Sequence, residues 1–285
     1  MSQIFKTIQM RHSVRTYDPR PIEAGKLSEL RDFMDANIVG PFGNTVNCKI
    51  TSLPADSESE LKKYVSYGNV TGARYFIAGC VKKSPHAMED FGYCMEKNIL
   101  HATSLGLATV WLGGSLNRST FAAALSCTDD DLIPAITPLG YAADRRSMMD
   151  RVIKTLSGGK KRKDFGELFF SGSDSVPLDK SVCGAYTEVL EAVRLAPSAR
   201  NLQPWRIIRE KDSPVFHFFV AEAYDKEARG EIRLADNDLG IAMCHFASTA
   251  REEGLSGVWC TEMPSVSHGN WKYVTTWIDT GANPS

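Results

Sequence analysis

The chain has 285 residues, 33 basic against 34 acidic for a formal charge of −1, with 43% hydrophobic and 24% charged residues. Ordinary globular composition excludes disordered and fibrous classes, and at about 150 residues per domain it allows one or two cores. The near-neutral balance gives no global argument for nucleic acid or an anionic membrane as a partner. Seven cysteines (Cys48, Cys80, Cys94, Cys127, Cys183, Cys244, Cys260) form no C-x-x-C pair, and Met1–Arg11 carries no cationic-apolar leader. Reduced thiols in a cytoplasmic protein are expected. The longest uncharged stretch, Asn98–Asn117, contains polar residues and three glycines, and reads as a buried helix–turn–strand, not a membrane span.

In chain order, the first chemical pattern is Arg11-His12-Ser13-Val14-Arg15-Thr16-Tyr17. Arg11, Ser13 and Arg15 at alternate positions point to one side of an extended chain, a cationic strip whose donors match the oxygens of an anionic ligand. An amphipathic helix is expected over Gly25–Ala36, followed by a loop with Gly40-Pro41 and a strand over Tyr75–Cys80. Gly92, Met95, Ile99 and Ala102 recur at helical spacing, Gly106 stops that helix in a left-handed cap, and Leu107–Trp111 reads as a buried strand. Asp129-Asp130-Asp131 reads as a turn or helix start, and Ile133–Tyr141 as a strand.

Further on, Ser157–Lys163, SGGKKRK, is a basic connector without the G-x-x-x-x-G-K-[ST] spacing of a phosphate loop, and Ser171–Lys180 is a polar linker. A helix over Ala185–Leu195 leads into Ala196-Pro197-Ser198-Ala199-Arg200-Asn201-Leu202-Gln203-Pro204-Trp205. There two prolines fix the backbone around the donors of Ser198, Arg200, Asn201 and Gln203. Strands are expected over Arg206–Arg209, Val215–Val220 and Tyr273–Ile278. The six histidines show no i, i+4 pairing, so no metal site is expected, and the absence of G-x-G-x-x-G and G-x-S-x-G argues against Rossmann and α/β-hydrolase folds.

The chain also repeats itself. Asp90–Trp111 and Asp238–Trp259 align without a gap at an offset of 148, with eight identities in 22 positions: Asp90/Asp238, Gly92/Gly240, Met95/Met243, Ala102/Ala250, Gly106/Gly254, Leu107/Leu255, Val110/Val258 and Trp111/Trp259. Two α+β halves are expected, residues 1–165 and a shortened 166–285, related by a pseudo-two-fold axis.

Taken together, R-x-S-x-R at 11–15, P-S-x-x-N-x-Q-P-W at 197–205, Trp111-Leu112-Gly113-Gly114 after a long helix and Leu139-Gly140-Tyr141 at a strand end resemble the flavin-dependent nitroreductase family. The resemblance implies an α+β fold that holds FMN between two subunits. In that family both polar motifs lie in one subunit, a helix apart. Here the first half has Gly40-Pro41-Phe42-Gly43-Asn44 in place of the second motif, and the second half lacks R-x-S-x-R. The repeat therefore reads as a dimer fused into one chain, keeping one composite flavin site and needing no homodimer for it.

By the same resemblance, Arg11, His12, Ser13 and Arg15 contact FMN from the first half, an arginine there stabilising the reduced flavin. Gly113 and Gly114 bring backbone N–H groups near flavin N5, with Trp111 and Leu112 before them also among the cofactor-binding residues, and Arg162, with Lys160 second, serves the phosphate. Pro197, Ser198, Arg200 and Asn201 complete the site, with Leu202 and Gln203 less strongly implied. The implied activity is hydride transfer from NAD(P)H to a nitroaromatic, quinone or similar small molecule by a ping-pong route without a protein acid or base. The alternative from another class is a flavin-binding or flavin-handling protein without reductase turnover, and specialised chemistry such as dehalogenation or flavin fragmentation shares the same signature.

Overall fold

The computed structural model describes residues 1–52, 70–113, 118–143, 161–221 and 231–281. The chain separates into two units, Gln9–Gly159 and Lys160–Ser285 joined by Met1–Ile8. The sequence reading places the division at 165/166 and leaves the N-terminal residues with the first half. Remote carboxylates account for the N-terminal exchange. Helix α1 (Gln3–Met10) opens with Ser2 and Ile4, whose backbone N–H groups donate to Glu188 and Glu252 of the second unit, each at 2.6 Å. Negative charge at a helix N-terminus satisfies its free N–H groups and its dipole.

Residues 9–159 build a six-stranded sheet: β1 (Tyr17–Asp18), β2 (Val46–Ser52), β3 (Tyr75–Lys82), β4 (Ala108–Thr109), β5 (Asp131–Leu132) and β6 (Ile136–Ala142). Its spine runs β1-β6-β3-β2, with β4 added to β6 and β5 to β3, all antiparallel. Among the described residues three helices accompany it, α2 (Ala24–Asp35), α3 (Ala87–Ser104) and α4 (Arg118–Leu125). Phe76, Ala78, Cys80, Phe121 and Ile136 form the centre of one core.

Two expected strands are shorter than the sequence reading. The strand expected over Ile133–Tyr141 starts only at Ile136, after Pro134, and runs to Ala142. Leu107–Trp111 reduces to Ala108–Thr109 because Leu107 N donates to Ala102 O in the helix cap and Val110 N donates to the Thr137 hydroxyl at 3.0 Å.

The other unit has β7 (Phe169–Ser171), β8 (Trp205–Arg209), β9 (Val215–Val220), β10 (Gly257–Cys260) and β11 (Lys272–Asp279), in the order β10-β11-β9-β8-β7. Only β7–β8 is parallel within this sheet. Helices α5 (Phe165–Leu168), α6 (Tyr186–Leu195) and α7 (Leu234–Glu252) belong with it. Consecutive buried residues in β9 show a sheet covered on both faces. Phe218 meets Phe246 of α7 edge to face, whereas Phe219 stacks on His268 and packs beside Trp271. The stretch 171–180 folds back on β7, with Ser171 N donating to Val176 O and Leu178 N to Phe169 O, so it is part of this unit and not a linker.

Both repeat helices, α3 and α7, are buried almost all round, which demands small and apolar residues on every side. Both end at a left-handed glycine, Gly106 (φ 77°) and Gly254 (φ 76°), with Leu107 N and Leu255 N each 2.9 Å from the carbonyl of Ala102 and Ala250. Among the described residues no helix is long and apolar enough to cross a membrane, and all seven cysteines are free thiols.

Candidate functional site

In residues 9–159 the cationic strip lies beside the repeat strand. Ser13 pairs with Thr109 in a parallel bridge, and Val14 N donates to Thr109 O at 3.0 Å. Val14 is in the core, so alternation turns Ser13 and Arg15 to the opposite side. The Arg15 carbonyl accepts from Thr71 N, and Tyr17 OH donates to Val14 O, which fixes the strip at both ends. His12 is exposed, its Nδ1 3.0 Å from Met10 O.

Arg11 differs from its neighbours. Its side chain is 6% exposed and faces the buried Glu96 carboxylate at 3.9 Å, yet Nε and Nη1 have no hydrogen-bond partner among the described residues. Burial lowers the Arg11 pKa and Glu96 works against that shift. Trp111 Nε1 donates to Glu96 Oε2 at 2.7 Å, Leu112 exchanges two backbone bonds with Ile136, and the Gly113 carbonyl accepts from Arg118. The structure thus brings Arg11 and Trp111 to one carboxylate, Glu96, with Ser13 bridged to Thr109 two residues before Trp111, whereas the Leu112 side chain lies in the core with Val14; Gly114 lies outside the described residues.

In the other unit the loop after α6 is bent by its own sequence. Ala196, ahead of Pro197, is extended (ψ 139°), as a residue before proline must be, and the helix stops there. Pro197 is buried and Ser198 is extended, after which Arg200, Asn201 and Gln203 take positive φ of 50°, 58° and 50° without a glycine. Three such residues within four positions store backbone strain, which persists only where surrounding bonds impose it. Those bonds are present. Asp238 accepts from Ala199 N at 2.9 Å, Ser198 Oγ accepts from Gln203 N at 2.9 Å, and the buried Gln203 side chain accepts from Lys163 N and donates to Asn201 O.

Arg162 spends its guanidinium within this loop, donating to Asn201 Oδ1 and, at 2.9 Å, to Leu195 O, while Asn201 Nδ2 donates to Lys161 O. Arg162, Ser198, Asn201 and Gln203 are therefore one bonded assembly next to the buried Pro197, and the exposed Arg200 lies within the same loop. Lys160 lies outside the described residues.

Sequence reasoning missed three supporting carboxylates. Asp238 anchors the 198–203 loop; Asp90, its repeat counterpart, accepts from Phe42 N at 3.0 Å and Asn44 N at 2.9 Å in the loop after α2. The identity Asp90/Asp238 was the available signal. Glu96 had none except a charge amid apolar helix positions.

Residues 3–250 match the model of the family described as "Putative TM nitroreductase". No curated protein matches the chain. Among solved structures, a protein of Thermotoga maritima MSB8 described as a "putative nitroreductase" covers 100% of this chain and 95% of its own, with TM-score 0.60 and 22% identity. A nitroreductase family protein of Clostridium difficile 630 covers 54% of this chain and 92% of its own, at TM-score 0.41 and 20% identity. A nitroreductase with bound FMN from Bacteroides fragilis NCTC 9343 covers 52% and 92%, at TM-score 0.40 and 18% identity. With most of its length matched by the family model and its fold shared from end to end with the Thermotoga protein, the chain belongs to the TM nitroreductase family.

Proposed function

We propose that this protein is an FMN-dependent oxidoreductase that carries reducing equivalents from NAD(P)H to a nitroaromatic, quinone or similar small acceptor, with one FMN per chain. The observation that carries the reading is Arg11, a buried guanidinium whose Nε and Nη1 lack hydrogen-bond partners among the described residues. Leaving such donors unsatisfied is costly, and a phosphorylated, oxygen-rich ligand supplies the acceptors. Family membership and the pre-strained donor loop at 198–203 support the same ligand.

FMN, when bound, supplies the redox chemistry, accepting reducing equivalents from one small molecule and delivering them to another. The chain's own residues bind and orient. Arg11 and Arg15 bring positive charge to the ligand's oxygens, Ser13 and His12 add donors, and in the Trp111-Leu112-Gly113-Gly114 segment the two glycines leave main chain unobstructed by a side chain. Ser198, Arg200 and Asn201 present donors from a loop that Pro197 stiffens before binding, with Arg162 holding Asn201 in place. One FMN per chain follows from sequence, since R-x-S-x-R and P-S-x-x-N each occur once at a matching position. Donor and acceptor binding in turn at one face gives ping-pong kinetics.

Mixing purified protein with NADH or NADPH without oxygen tests this reading. Bleaching of the flavin absorbance is expected, with loss of flavin or at least about tenfold slower reduction in Arg15→Ala and a smaller change in His12→Ala. Flavin that stays oxidised with both donors means a binding protein without turnover.

A further inference from the structure

Glu96 sits in the middle of α3 with no exposed surface, and its carboxylate faces two groups at once. Trp111 Nε1 donates to Oε2 at 2.7 Å, and Arg11 Nε lies 3.9 Å from Oε1. A buried carboxylate is costly even when paired, and an apolar or neutral residue of similar size often serves a helix as well or better. Its presence therefore needs a reason beyond packing.

The repeat supplies a control within the same chain. At the offset of 148, position 96 corresponds to 244, where the fully buried side chain is the thiol of Cys244. Trp259, the counterpart of Trp111, packs edge to face against Phe218 and Trp277 and meets Phe246 at 6.1 Å. The helix frame thus accepts a neutral group at this position. A carboxylate stands there only in the copy whose strand runs beside the R-x-S-x-R strip.

We propose that Glu96 is a positioning residue of the cofactor site, locking the Arg11 guanidinium and the Trp111 indole into one arrangement so that Arg11 Nη1 is held ready for a ligand oxygen. The inference rests on the FMN reading above and adds to it a residue that does not touch the ligand. Glu96 orients Arg11 through its charge at Nε and fixes the Trp111 side chain, and with it the start of the Trp111–Gly113 segment, through a hydrogen bond. Without the carboxylate, a long side chain with several rotatable bonds must be ordered by the ligand itself, at the ligand's expense in affinity.

The test is titration of FMN-stripped protein with FMN, followed by flavin fluorescence. Glu96→Gln keeps an acceptor for Trp111 and removes the charge facing Arg11. Glu96→Cys installs the side chain that the equivalent helix already buries, which keeps a folded variant at hand. Each weakens FMN binding about tenfold or more. On an Arg11→Lys background, Glu96→Gln changes affinity by less than about twofold, because the two side chains act as one unit. Unchanged affinity in both single variants, or an equal loss with and without Arg11→Lys, overturns the positioning role while leaving the FMN reading intact. Failure of the unmutated protein to bind FMN overturns that reading, and the inference with it.

Discussion

The two repeat copies share a frame and differ in what the frame holds. In both, a buried helix begins near an aspartate that receives backbone N–H groups from the preceding loop: Asp90 from Phe42 and Asn44, Asp238 from Ala199. Both helices close on a left-handed glycine and enter a short strand. The loops diverge. After α2, Gly40 fits against Asp90 so tightly that a Cβ there would lie 2.3 Å from its carboxyl carbon. In that loop Asn44 is bonded to Ser84 and to Pro85 O, and Phe42 stacks on His86. The loop after α6 has no glycine, three residues at positive φ and several side-chain donors. The same supports thus hold two different loops, one with ordinary glycine-containing structure and the other strained and rich in donors. The strained loop is the one to which the proposed function assigns cofactor donors.

Substituting paired positions sharpens this comparison. The largest effect is expected at 246 and 98. Phe246 lies 5.2–6.1 Å from the rings of Tyr186, Phe216, Phe218, Trp259 and Trp277, so Phe246→Ala costs about 3–5 kcal/mol in urea unfolding. Asn98, its counterpart, buries an Oδ1 with no hydrogen-bond partner among the described residues, and Asn98→Ala costs about 1 kcal/mol or less. Similar costs would mean that the two cores are packed alike.

A smaller effect concerns Asp90, whose burial raises its pKa above the ordinary 3.8 although Phe42 and Asn44 donate to it. A proton is then held more tightly folded than unfolded. The stability this gives is complete below the unfolded value and is lost as pH rises through the folded one. From pH about 4 upward, the unmutated protein loses stability relative to Asp90→Asn, read as urea midpoints across that range. A constant difference would show a solvated carboxylate.

The smallest effect tests the shared frame itself. At Gly106 and Gly254 an added Cβ meets nothing within 4 Å, so alanine costs only the left-handed backbone penalty, about 1 kcal/mol at each. Costs that differ by more than about 0.5 kcal/mol would break the equivalence of the two caps.

Much of this architecture was legible in the sequence because its signals are local. The repeat helices, their glycine stops, the strand at Val215–Val220 and the proline-bounded loop at 197–204 each follow from a few adjacent residues. Elements that depend on remote partners were not legible. Helix α1 has no acidic residue in its first turn and uses Glu188 and Glu252 instead. Strand β2 alternates Val46, Cys48 and Ile50 with polar residues at the sheet edge, a weak pattern in seven residues. The candidate site divides the same way. Its donors were visible as motifs, whereas Glu96, Asp90 and Asp238 act across tertiary contacts. Arg162, read as a cation for phosphate, also proves to be a brace for Asn201.

Flavin content per chain is the measurement that bears most directly on the central claim. Purified protein saturated with FMN, freed of excess, and quantified for flavin and protein should give a ratio near one. A ratio near two would mean that both repeat copies kept a site, and a ratio near zero would mean that the buried guanidinium of Arg11 serves some other ligand.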